Sequence, residues 1–280
     1  MMRRHTVGVI GWPVDRSLSP AIHNAAFKAM RMDWHYVPLP VRPGELEAAL
    51  GGLMALGFRG ANVTMPHKTD AAQLMDARSE DAKRVGAVNT VVVGEDSLTG
   101  HNTDVAGFAR FLERDVGFDP AGRTALILGR GGAARACALA LVRGGLDRLV
   151  VAAREPLEGP QHAAFAAAVG RGGPGIEAVP WDEAHDVRAD LVVNATPVGG
   201  KGEAVPAPPP VPGMTVVDLL YRPPVTRLVA SARAAGADAH GGLGLLLHQA
   251  ALSFELWTGV QPPFEAMSAA ALAALAESGG

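Results

Sequence analysis

Short apolar runs rich in β-branched residues alternate with helical segments along most of this chain, and that alternation constrains its fold more than any other feature. The run 124–129 leads into the helical segment 133–142, which is followed by the apolar run 148–153. A strand–helix–strand order places the two strands parallel in one sheet, with helices packed on its faces. The chain is therefore predicted to adopt an α/β fold with parallel sheets covered on both faces.

The alternation divides into two α/β units. The first is predicted to cover residues 1–104 and the second residues 105–239, with the boundary inside the helix that follows Asp104. Residues 240–280 carry an apolar helical face, with leucine, alanine, phenylalanine and tryptophan at helical spacing. A helix with one apolar face must bury that face, and either unit could receive it. The preferred prediction is that these C-terminal helices return to the first unit.

Proline and serine predict two local features. Ser19 is the expected N-cap of the first helix, because Pro20 suits the first helical position, where its missing N–H costs nothing. The proline-rich stretch 205–212 is predicted to be an extended surface loop, since proline cannot donate a hydrogen bond to a central strand.

Composition excludes several classes of function. The chain has 28 acidic and 25 basic residues and a net charge of −3, so it lacks the basic surface that nucleic-acid binding requires. No apolar run reaches the roughly 18 residues of a membrane-spanning helix. With Cys137 as its one cysteine, the chain can form no internal disulfide, which is typical of a reducing compartment. These features predict a soluble cytoplasmic protein, monomeric or homodimeric, with no nucleic-acid or membrane partner.

A glycine-rich loop links a buried strand to a helix in the second unit. Its residues are Gly129, Arg130, Gly131, Gly132 and Ala133. Glycines at this position allow a tight turn and the close approach of a pyrophosphate, whose charge is stabilised by the N-terminus of the following helix. The loop predicts a dinucleotide-binding site.

The end of the next strand bears on which dinucleotide is used. Arg154 has the planar guanidinium that suits a 2′-phosphate, which favours NADP. Glu155 stands next to it and opposes the same phosphate, and an acidic residue near this point is typical of enzymes that use NAD. NADP is the preferred prediction, and NAD stays possible.

Polar residues gather at the predicted strand ends of the first unit. They fit a hydroxyl-rich, anionic ligand, because open α/β sheets bind ligands at the carboxyl ends of their strands. Lys68 and Asp104 form the pair able to transfer a proton to or from an alcohol while hydride moves to or from a nicotinamide. The set comprises Ser17, Ser19, Thr64, Lys68, Asn89, Thr90, Asn102, Thr103 and Asp104.

Eight segments of the chain resemble the shikimate dehydrogenase family and occur in that family's order. The chain is similar to the family over nearly its full length. The matching segments are residues 17–24, 62–68, 86–90, 100–104, 129–135, 194–199, 218–223 and 248–250.

The resemblance implies an activity and an architecture. Members of the family reversibly reduce 3-dehydroshikimate to shikimate with NADPH, in the chorismate route to the aromatic amino acids. They combine an N-terminal α/β substrate domain with a Rossmann-type doubly wound dinucleotide-binding domain. The implied activity is that of an NADP-dependent oxidoreductase with a small-molecule substrate. No metal is expected, since the histidines lack the spacing of metal ligands.

The resemblance also implies roles for particular residues. Ser17 and Ser19 would hold the substrate carboxylate with Tyr221 nearby, and Lys68 and Asp104 would be the catalytic pair. Three further residues would bind the carboxylate end or the ring hydroxyls of the substrate, namely Thr64, Asn89 and Gln249. The cofactor would contact Gly129, Arg130, Gly131, Gly132, Ala133, Arg154, Thr196, Leu219 and Gly242.

Two positions bear on substrate and cofactor preference. The family's usual Asn-Arg-Thr is Ala153-Arg154-Glu155 here, which removes two supports for a 2′-phosphate. Quinate-using relatives often carry Ser-x-Thr where this chain has Ser17-Leu18-Ser19, so the second serine favours shikimate. The alternatives to the leading hypothesis are an NAD-dependent quinate/shikimate dehydrogenase, a divergent paralogue, and a metabolite-sensing protein that binds shikimate without turnover.

Overall fold

The chain divides into two structural units, each built on its own six-stranded sheet. The computed structural model describes residues 5–155, 157–170 and 173–277. The first unit comprises Met1–Thr103 and Leu247–Gly280, and the second comprises Asp104–Leu246. Residues 240–246 thus fall in the second unit, whereas the sequence-based division grouped them with the C-terminal helices.

Strands and helices alternate through most of the chain. The strands are β1 His5–Gly11, β2 Trp34–Pro40, β3 Gly60–Val63, β4 Ala77–Arg78, β5 Thr90–Val93, β6 Leu98–His101, β7 Thr124–Leu128, β8 Arg148–Ala153, β9 Ile176–Pro180, β10 Leu191–Asn194, β11 Thr215–Asp218 and β12 Asp238–Gly241. The α-helices are α1 Ser19–Ala29, α2 Leu46–Ala55, α3 Lys68–Gln73, α4 Glu80–Val85, α5 Thr103–Phe111, α6 Gly132–Arg143, α7 Gly159–Val169, α8 Arg227–Ala234, α9 Leu243–Thr258 and α10 Phe264–Glu277. A π-helical turn, Leu112–Val116, extends α5, and a 3₁₀ helix, Trp181–Asp186, follows β9.

The first sheet is mixed, which corrects the prediction that both sheets are parallel. Its strand order is β2-β1-β3-β5-β6-β4, and β5 runs antiparallel to both of its neighbours. The pairing of β5 with β6 follows from the tight turn between them, which is closed by a 2.8 Å hydrogen bond from the N–H of Gly94 to the carbonyl of Ser97. Strands joined by so short a turn can only pair antiparallel.

The start of α1 corrects a second prediction. Ser19 is the first helical residue instead of the N-cap, which is Leu18, and no side chain caps the helix. The hydroxyl of Ser17 accepts a 3.2 Å hydrogen bond from the backbone N–H of Ser19. Pro20 lies in the first turn as predicted. Both serines are therefore held at the beginning of one helix, directly after β1.

The C-terminal helices pack within the first unit. The indole N–H of Trp257, in α9, donates a 3.0 Å hydrogen bond to the carbonyl of Val91, in β5. The helix α10 packs against α1. These contacts fasten the end of the chain to the first sheet and bring residues of α9 next to β5.

The second sheet is parallel throughout, as predicted. Its order is β12-β11-β10-β7-β8-β9. Numbered from β7, this is the 3-2-1-4-5-6 order of the doubly wound dinucleotide-binding fold, so the predicted Rossmann-type architecture is confirmed. The chain reverses its direction of progress across the sheet between β7 and β10, where such folds bind their ligands. The proline-rich stretch 205–212 has no strand or helix.

Candidate active site

Two amide side chains meet in the first unit, just before β5 and within α9. The side-chain N–H of Asn89 lies 3.4 Å from Oε1 of Gln249 and 2.9 Å from the hydroxyl of Thr103, the first residue of α5. The backbone N–H of Thr103 in turn donates to Oδ1 of Asn89 at 2.8 Å. All three residues are buried. The structure thus brings together Asn89 and Gln249, two residues that the resemblance assigns to the substrate.

A second layer of polar groups supports these amides. The side-chain N–H groups of Asn62, in β3, lie 3.1 Å from the hydroxyl of Thr90 and 2.9 Å from that of Ser253, in α9. The two hydroxyls are 2.8 Å apart, and the Ser253 hydroxyl donates to the backbone carbonyl of Gln249 at 3.0 Å. We call this set the amide–hydroxyl network; it comprises Asn62, Asn89, Thr90, Thr103, Gln249 and Ser253.

Tyr36 connects the network to the serine segment. Its hydroxyl donates a 2.8 Å hydrogen bond to Oδ1 of Asn62. Burial raises the pKa of Tyr36 well above its usual value, and a hydrogen bond with the Ser19 side chain acts in the opposite direction. Polar side chains buried this deeply are stable only when their hydrogen bonds are satisfied. The serines and the amides therefore belong to one continuous polar interior of the first unit.

Thr64 and Lys68 follow the carboxyl end of β3. Thr64 is half-buried, and its backbone N–H donates to the carbonyl of Ile10 at 2.8 Å. Lys68 is the first residue of α3 and is half-buried. Its carbonyl accepts a 2.8 Å hydrogen bond from Val88, so the backbone of Lys68 is tied to the segment that carries Asn89.

Asp104 and Tyr221 belong to the second unit. Asp104 is buried in the first turn of α5, immediately after Thr103 in the chain. A carboxylate in this position is stabilised by the helix dipole. Tyr221 is half-buried after β11, and burial raises its pKa.

Gly129 sits at the switch point of the second sheet. Its φ is +119°, in the region that side chains rarely adopt. A Cβ there would also lie 3.0 Å from the carbonyl oxygen of Ala195 and 3.1 Å from the methyl group of Thr196. The loop after β7 therefore passes directly over the segment after β10, and only glycine allows that approach. Gly129 and Thr196, both predicted to contact the cofactor, are neighbours.

The rest of the glycine loop, residues 129–132, suits a phosphate. No atom lies within 4 Å of the place where a Cβ on Gly131 would stand. The helix α6 begins at Gly132 with no side-chain cap and no acidic residue in its first turn, which continues with Ala133. An uncapped helix N-terminus with open space beside it fits the pyrophosphate of a dinucleotide.

Charged residues lie beside the glycine loop. The guanidinium of Arg130 pairs with the carboxylate of Glu155, at the end of β8. Arg154 is exposed next to Glu155. The sequence placed Arg130 and Glu155 at separate points of the cofactor site, and the structure joins them.

A polar cluster holds the loops that follow β10 and β11. The side-chain amide of Asn194 donates to Asp218 at 3.0 Å, and its oxygen accepts from the hydroxyl of Thr196 at 2.7 Å. Burial raises the pKa of Asp218, while hydrogen bonds from Thr226, from the backbone of Leu220 and from Asn194 favour its charged form. The cluster fixes Thr196 beside Gly129.

Leu219 and Gly242 are also brought together. A Cβ on Gly242 would lie 2.0 Å from the carbonyl oxygen of Leu219, so the backbones approach more closely than any side chain allows. The N–H of Gly242 donates to the carbonyl of Leu220 at 2.9 Å. Two more of the predicted cofactor residues thus share one edge of the second sheet.

Two family models and the curated relatives match this chain. The model described as shikimate dehydrogenase substrate binding domain matches residues 9–91, and that of the shikimate 5′-dehydrogenase C-terminal domain matches residues 242–272. A relative from Moorella thermoacetica, named shikimate dehydrogenase (NADP(+)), is 45% identical and covers 98% of this chain and 95% of its own length. Another of that name from Citrifermentans bemidjiense is 44% identical, with 97% and 96% covered. The chain belongs to the shikimate dehydrogenase family.

Solved structures of shikimate dehydrogenase relatives share the fold. The enzyme of Thermus thermophilus, in complex with NADP(H) and shikimate, is 38% identical with a TM-score of 0.84, and the match covers 97% of this chain and 100% of that one. A quinate dehydrogenase from Corynebacterium glutamicum, in complex with NAD, is 33% identical with a TM-score of 0.86, covering 96% and 99%. The resemblance stated from the sequence motifs is confirmed.

Sequence reasoning missed several residues that build the site of this shikimate dehydrogenase family member. Tyr36, Asn62 and Ser253 were given no role, although all three are buried polar side chains. Asn194 and Asp218 were noted only as parts of matching segments. The available signal was a polar residue within an otherwise apolar strand or helix, because such a residue must find partners when it is buried.

The described residues contain neither a metal-binding cluster nor a membrane-spanning helix. Residues 5–155, 157–170 and 173–277 contain no group of three or more His, Cys, Asp or Glu side chains able to hold a metal ion. In the same part of the chain, no helix has the length and apolar character needed to cross a membrane.

Proposed function

We propose that this protein is an NADP-dependent shikimate dehydrogenase, which reversibly reduces 3-dehydroshikimate to shikimate in chorismate biosynthesis. The observation that carries the proposal is the near-full-length similarity to curated shikimate dehydrogenases (NADP(+)), at 45% identity over 98% of the chain. That similarity spans both the amide–hydroxyl network and the glycine loop. The two sites supply what the reaction needs, a polyol site and a dinucleotide site.

The substrate is held by polar side chains. Ser17 and Ser19 bind its carboxylate with Tyr221, while the other contacts come from residues at the ends of β3, β5 and within α9, namely Thr64, Asn89 and Gln249. The assignment is supported by the burial of Asn89 and Gln249 and by the hydrogen bond between them. Amide and hydroxyl side chains of this kind match a ring with several hydroxyl groups.

Lys68 and Asp104 carry the proton transfer. In the reductive direction the ammonium of Lys68 donates a proton to the carbonyl oxygen that becomes the 3-hydroxyl, and in the oxidative direction neutral Lys68 takes that proton back. The carboxylate of Asp104 assists Lys68 in this step. The burial of Asp104 and the half-burial of Lys68 support these roles, because both groups are shielded from bulk water.

The glycine loop holds the cofactor. NADPH, when bound, supplies the hydride that reduces the ketone. Gly129, Gly131 and Gly132 keep the backbone accessible to the pyrophosphate, and the N-terminus of α6 stabilises its charge. Further contacts come from Arg130, Ala133, Arg154, Thr196, Leu219 and Gly242. The open space at Gly131 and the uncapped helix support this placement.

The use of NAD is the second candidate, and Glu155 favours it. Its carboxylate follows the end of β8, where the ribose of a bound dinucleotide would lie in this fold, and it is paired with Arg130. In dinucleotide-binding folds an acidic residue in this region binds the ribose 2′-hydroxyl of NAD. Arg154 next to it favours NADP, so the enzyme is proposed to prefer NADP and to accept NAD.

The domain roles and the setting belong to the same proposal. The first unit is the substrate domain and the second the cofactor domain. The protein is proposed to act in the cytoplasm as a monomer or homodimer, with no nucleic-acid partner. The single cysteine and the net charge of −3 support this setting.

A four-way assay tests the proposal. The initial rate of cofactor reduction is measured with shikimate and with quinate, each with NADP+ and with NAD+. We expect the largest kcat/KM with shikimate and NADP+. Preference for quinate and NAD+ supports the alternative enzyme, whereas shikimate binding measured by calorimetry, without cofactor reduction, identifies a metabolite-sensing protein and overturns the proposal.

A further inference from the structure

A line of hydrogen bonds runs from Tyr36 through Asn62 and Thr90 to Asn89. We propose that it is an orientation relay, in which Tyr36, Asn62 and Thr90 are positioning residues that fix the direction of the Asn89 side-chain amide. The proposal rests on the proposed function for the role of Asn89 in binding substrate. It adds residues to which the family resemblance assigns no role.

The relay begins at Tyr36, whose phenol has one proton to donate. That proton is directed at Oδ1 of Asn62, with the two oxygens 2.8 Å apart. The phenol ring stacks on the imidazole of His23, with ring centroids 4.4 Å apart and planes within 4°. The side chain of Asn24 holds the backbone of Tyr36 by two hydrogen bonds of 2.9 Å. Tyr36 is therefore fixed in position, and its hydroxyl proton points to Oδ1 of Asn62.

The hydrogen bond from Tyr36 fixes the orientation of the Asn62 side-chain amide. Because its Oδ1 accepts from Tyr36, its Nδ2 must face the other side of the amide. There Nδ2 meets the hydroxyls of Thr90 at 3.1 Å and Ser253 at 2.9 Å, and the carbonyl of Asn89 at 3.1 Å. Thr90 accepts from Asn62, so its own proton is available for a different acceptor.

The Thr90 hydroxyl lies 2.8 Å from that of Ser253, where either group could be the donor, and the relay assigns the Thr90 proton to the side chain of Asn89. The hydroxyl of Thr90 lies 3.2 Å from Oδ1 of Asn89, which also receives the backbone N–H of Thr103 at 2.8 Å. With two donors on the oxygen side, the amide places its Nδ2 toward the hydroxyl of Thr103 and Oε1 of Gln249. The reversed amide would point an N–H group at the backbone N–H of Thr103 inside a buried site, and that mismatch is costly.

The relay matters because a side-chain amide presents an acceptor on one side and donors on the other. An amide fixed before the substrate arrives loses little conformational freedom on binding, which raises affinity. Residues behind the substrate contact that lock its geometry are a general requirement of precise sites. Loss of a relay hydroxyl is therefore expected to weaken substrate binding without touching the substrate or the reacting atoms.

Two substitutions at Thr90 separate positioning from packing. Thr90→Val keeps the side-chain shape and removes the hydroxyl, whereas Thr90→Ser keeps the hydroxyl and removes a methyl group. We expect Thr90→Val to raise KM for shikimate by about 5- to 10-fold, with kcat and KM for NADP+ near wild type. Thr90→Ser should retain the wild-type KM. A packing role predicts the reverse, since the cavity in Thr90→Ser would lower Tm and Thr90→Val would be harmless.

A double-mutant cycle tests whether the effect passes through Asn89. In an Asn89→Ala background, Thr90→Val should cause no further rise in KM for shikimate, because the group it orients is gone. Tyr36→Phe, which removes only the phenol hydroxyl, should behave in the same way. Multiplicative effects of Thr90→Val and Asn89→Ala, or a wild-type KM in both hydroxyl deletions, overturn the relay.

A measurement without substrate keeps the relay testable apart from the proposed function. In protein labelled with ¹⁵N-asparagine, Tyr36→Phe should speed hydrogen exchange of the Asn89 side-chain amide by about 5-fold or more, although Tyr36 is not among the hydrogen-bond partners of Asn89 described above. Unchanged exchange overturns the relay whatever the enzyme's activity. Absence of turnover with shikimate in the wild type overturns the proposed function alone, because the exchange experiment is independent of it.

Discussion

The two units build their polar sites in opposite ways. In the first unit the site consists of side chains, and every member of the amide–hydroxyl network is buried and hydrogen-bonded to another. In the second unit the central feature is the glycine loop, where three of the four residues 129–132 have no side chain. The ion pair between Arg130 of this loop and Glu155 reaches solvent, with 29% of the Arg130 side chain and 74% of the Glu155 side chain exposed.

The difference predicts which substitutions each site tolerates. A buried network has a fixed direction for each proton, so it is damaged by removing a hydroxyl or amide even when the shape is kept. A backbone site has no side chain to lose, so it is damaged by adding one. Exposed charges change the energy of an ionic ligand only modestly, because water and salt screen them.

The largest effect is expected in the first unit, where proton transfer is proposed to occur. Lys68→Ala should lower kcat by about 100-fold or more, since general acid–base catalysis contributes that much, while KM for shikimate changes far less. Steady-state kinetics with shikimate and NADP+ measure both constants. Lys83→Ala, which removes an exposed lysine of α4, is the matched control and should retain wild-type kcat. A wild-type kcat in Lys68→Ala excludes the proposed role.

The buried interior of the first unit should also make it sensitive to acid. Burial lowers the pKa of His23 from 6.5 to about 3, so this residue is neutral in the folded protein. The unfolded chain takes up a proton below pH 6.5, and stability is therefore complete above that pH and lost as the pH falls from 6.5 toward 3. Between pH 7.5 and pH 5 the loss from this one group is about 2 kcal/mol.

His23→Phe removes this proton uptake while keeping an aromatic ring against Tyr36. Urea unfolding at the two pH values should show that the variant loses about 2 kcal/mol less stability on acidification than the wild type. His35→Phe, at an exposed position of β2, should lose as much as the wild type. If wild type and His23→Phe lost equal stability on acidification, His23 would not contribute to the pH dependence of folding.

In the second unit, adding a side chain to the glycine loop is expected to weaken cofactor binding. Gly131→Ala places a methyl group in open space at a φ of −77°, so folding should be unaffected. The same methyl group would stand at the proposed position of the pyrophosphate, so Kd for NADP+ should rise about 10-fold. Gly129→Ala is the contrasting variant, because φ of +119° strains any side chain and should lower stability by about 1–3 kcal/mol. Calorimetric titration and thermal unfolding measure the two effects, and unchanged NADP+ binding by Gly131→Ala contradicts the placement of the pyrophosphate.

The second sheet was the part of the fold that the sequence predicted best. The strand β8 was predicted with its observed bounds, since strands buried on both faces of a parallel sheet form continuous apolar runs in the sequence. The strand β9 was missed because it lies at the edge of the sheet and its residues are mostly half-buried or exposed. The strand β6 was missed because it is short and contains glycine and histidine.

Site residues that belong to sequence motifs were predictable, whereas residues whose hydrogen-bond partners lie far away in the chain were not. Asn89 and Gln249 were identified from the family segments, and the structure brings them together. Asn62 and Ser253 are separated by 191 positions, and neither pattern nor propensity indicates that they share a hydrogen bond. Likewise the pairing of Arg130 with Glu155 depends on how β7 and β8 align, which composition cannot reveal.

The smallest effect is expected at the exposed charges beside the glycine loop. Glu155→Gln removes a negative charge near the proposed position of the 2′-phosphate and frees Arg130 from its partner, so the ratio of kcat/KM with NADP+ to that with NAD+ should rise about 5-fold. The matched control is Glu177→Gln, which breaks another exposed ion pair, between Glu177 and Arg148, and should leave the ratio unchanged. The rise should shrink as salt is added, because screening weakens exposed charges. A ratio that stays at the wild-type value in low salt would mean that Glu155 does not face the adenosine ribose, and that cofactor preference is set by the backbone and Arg154.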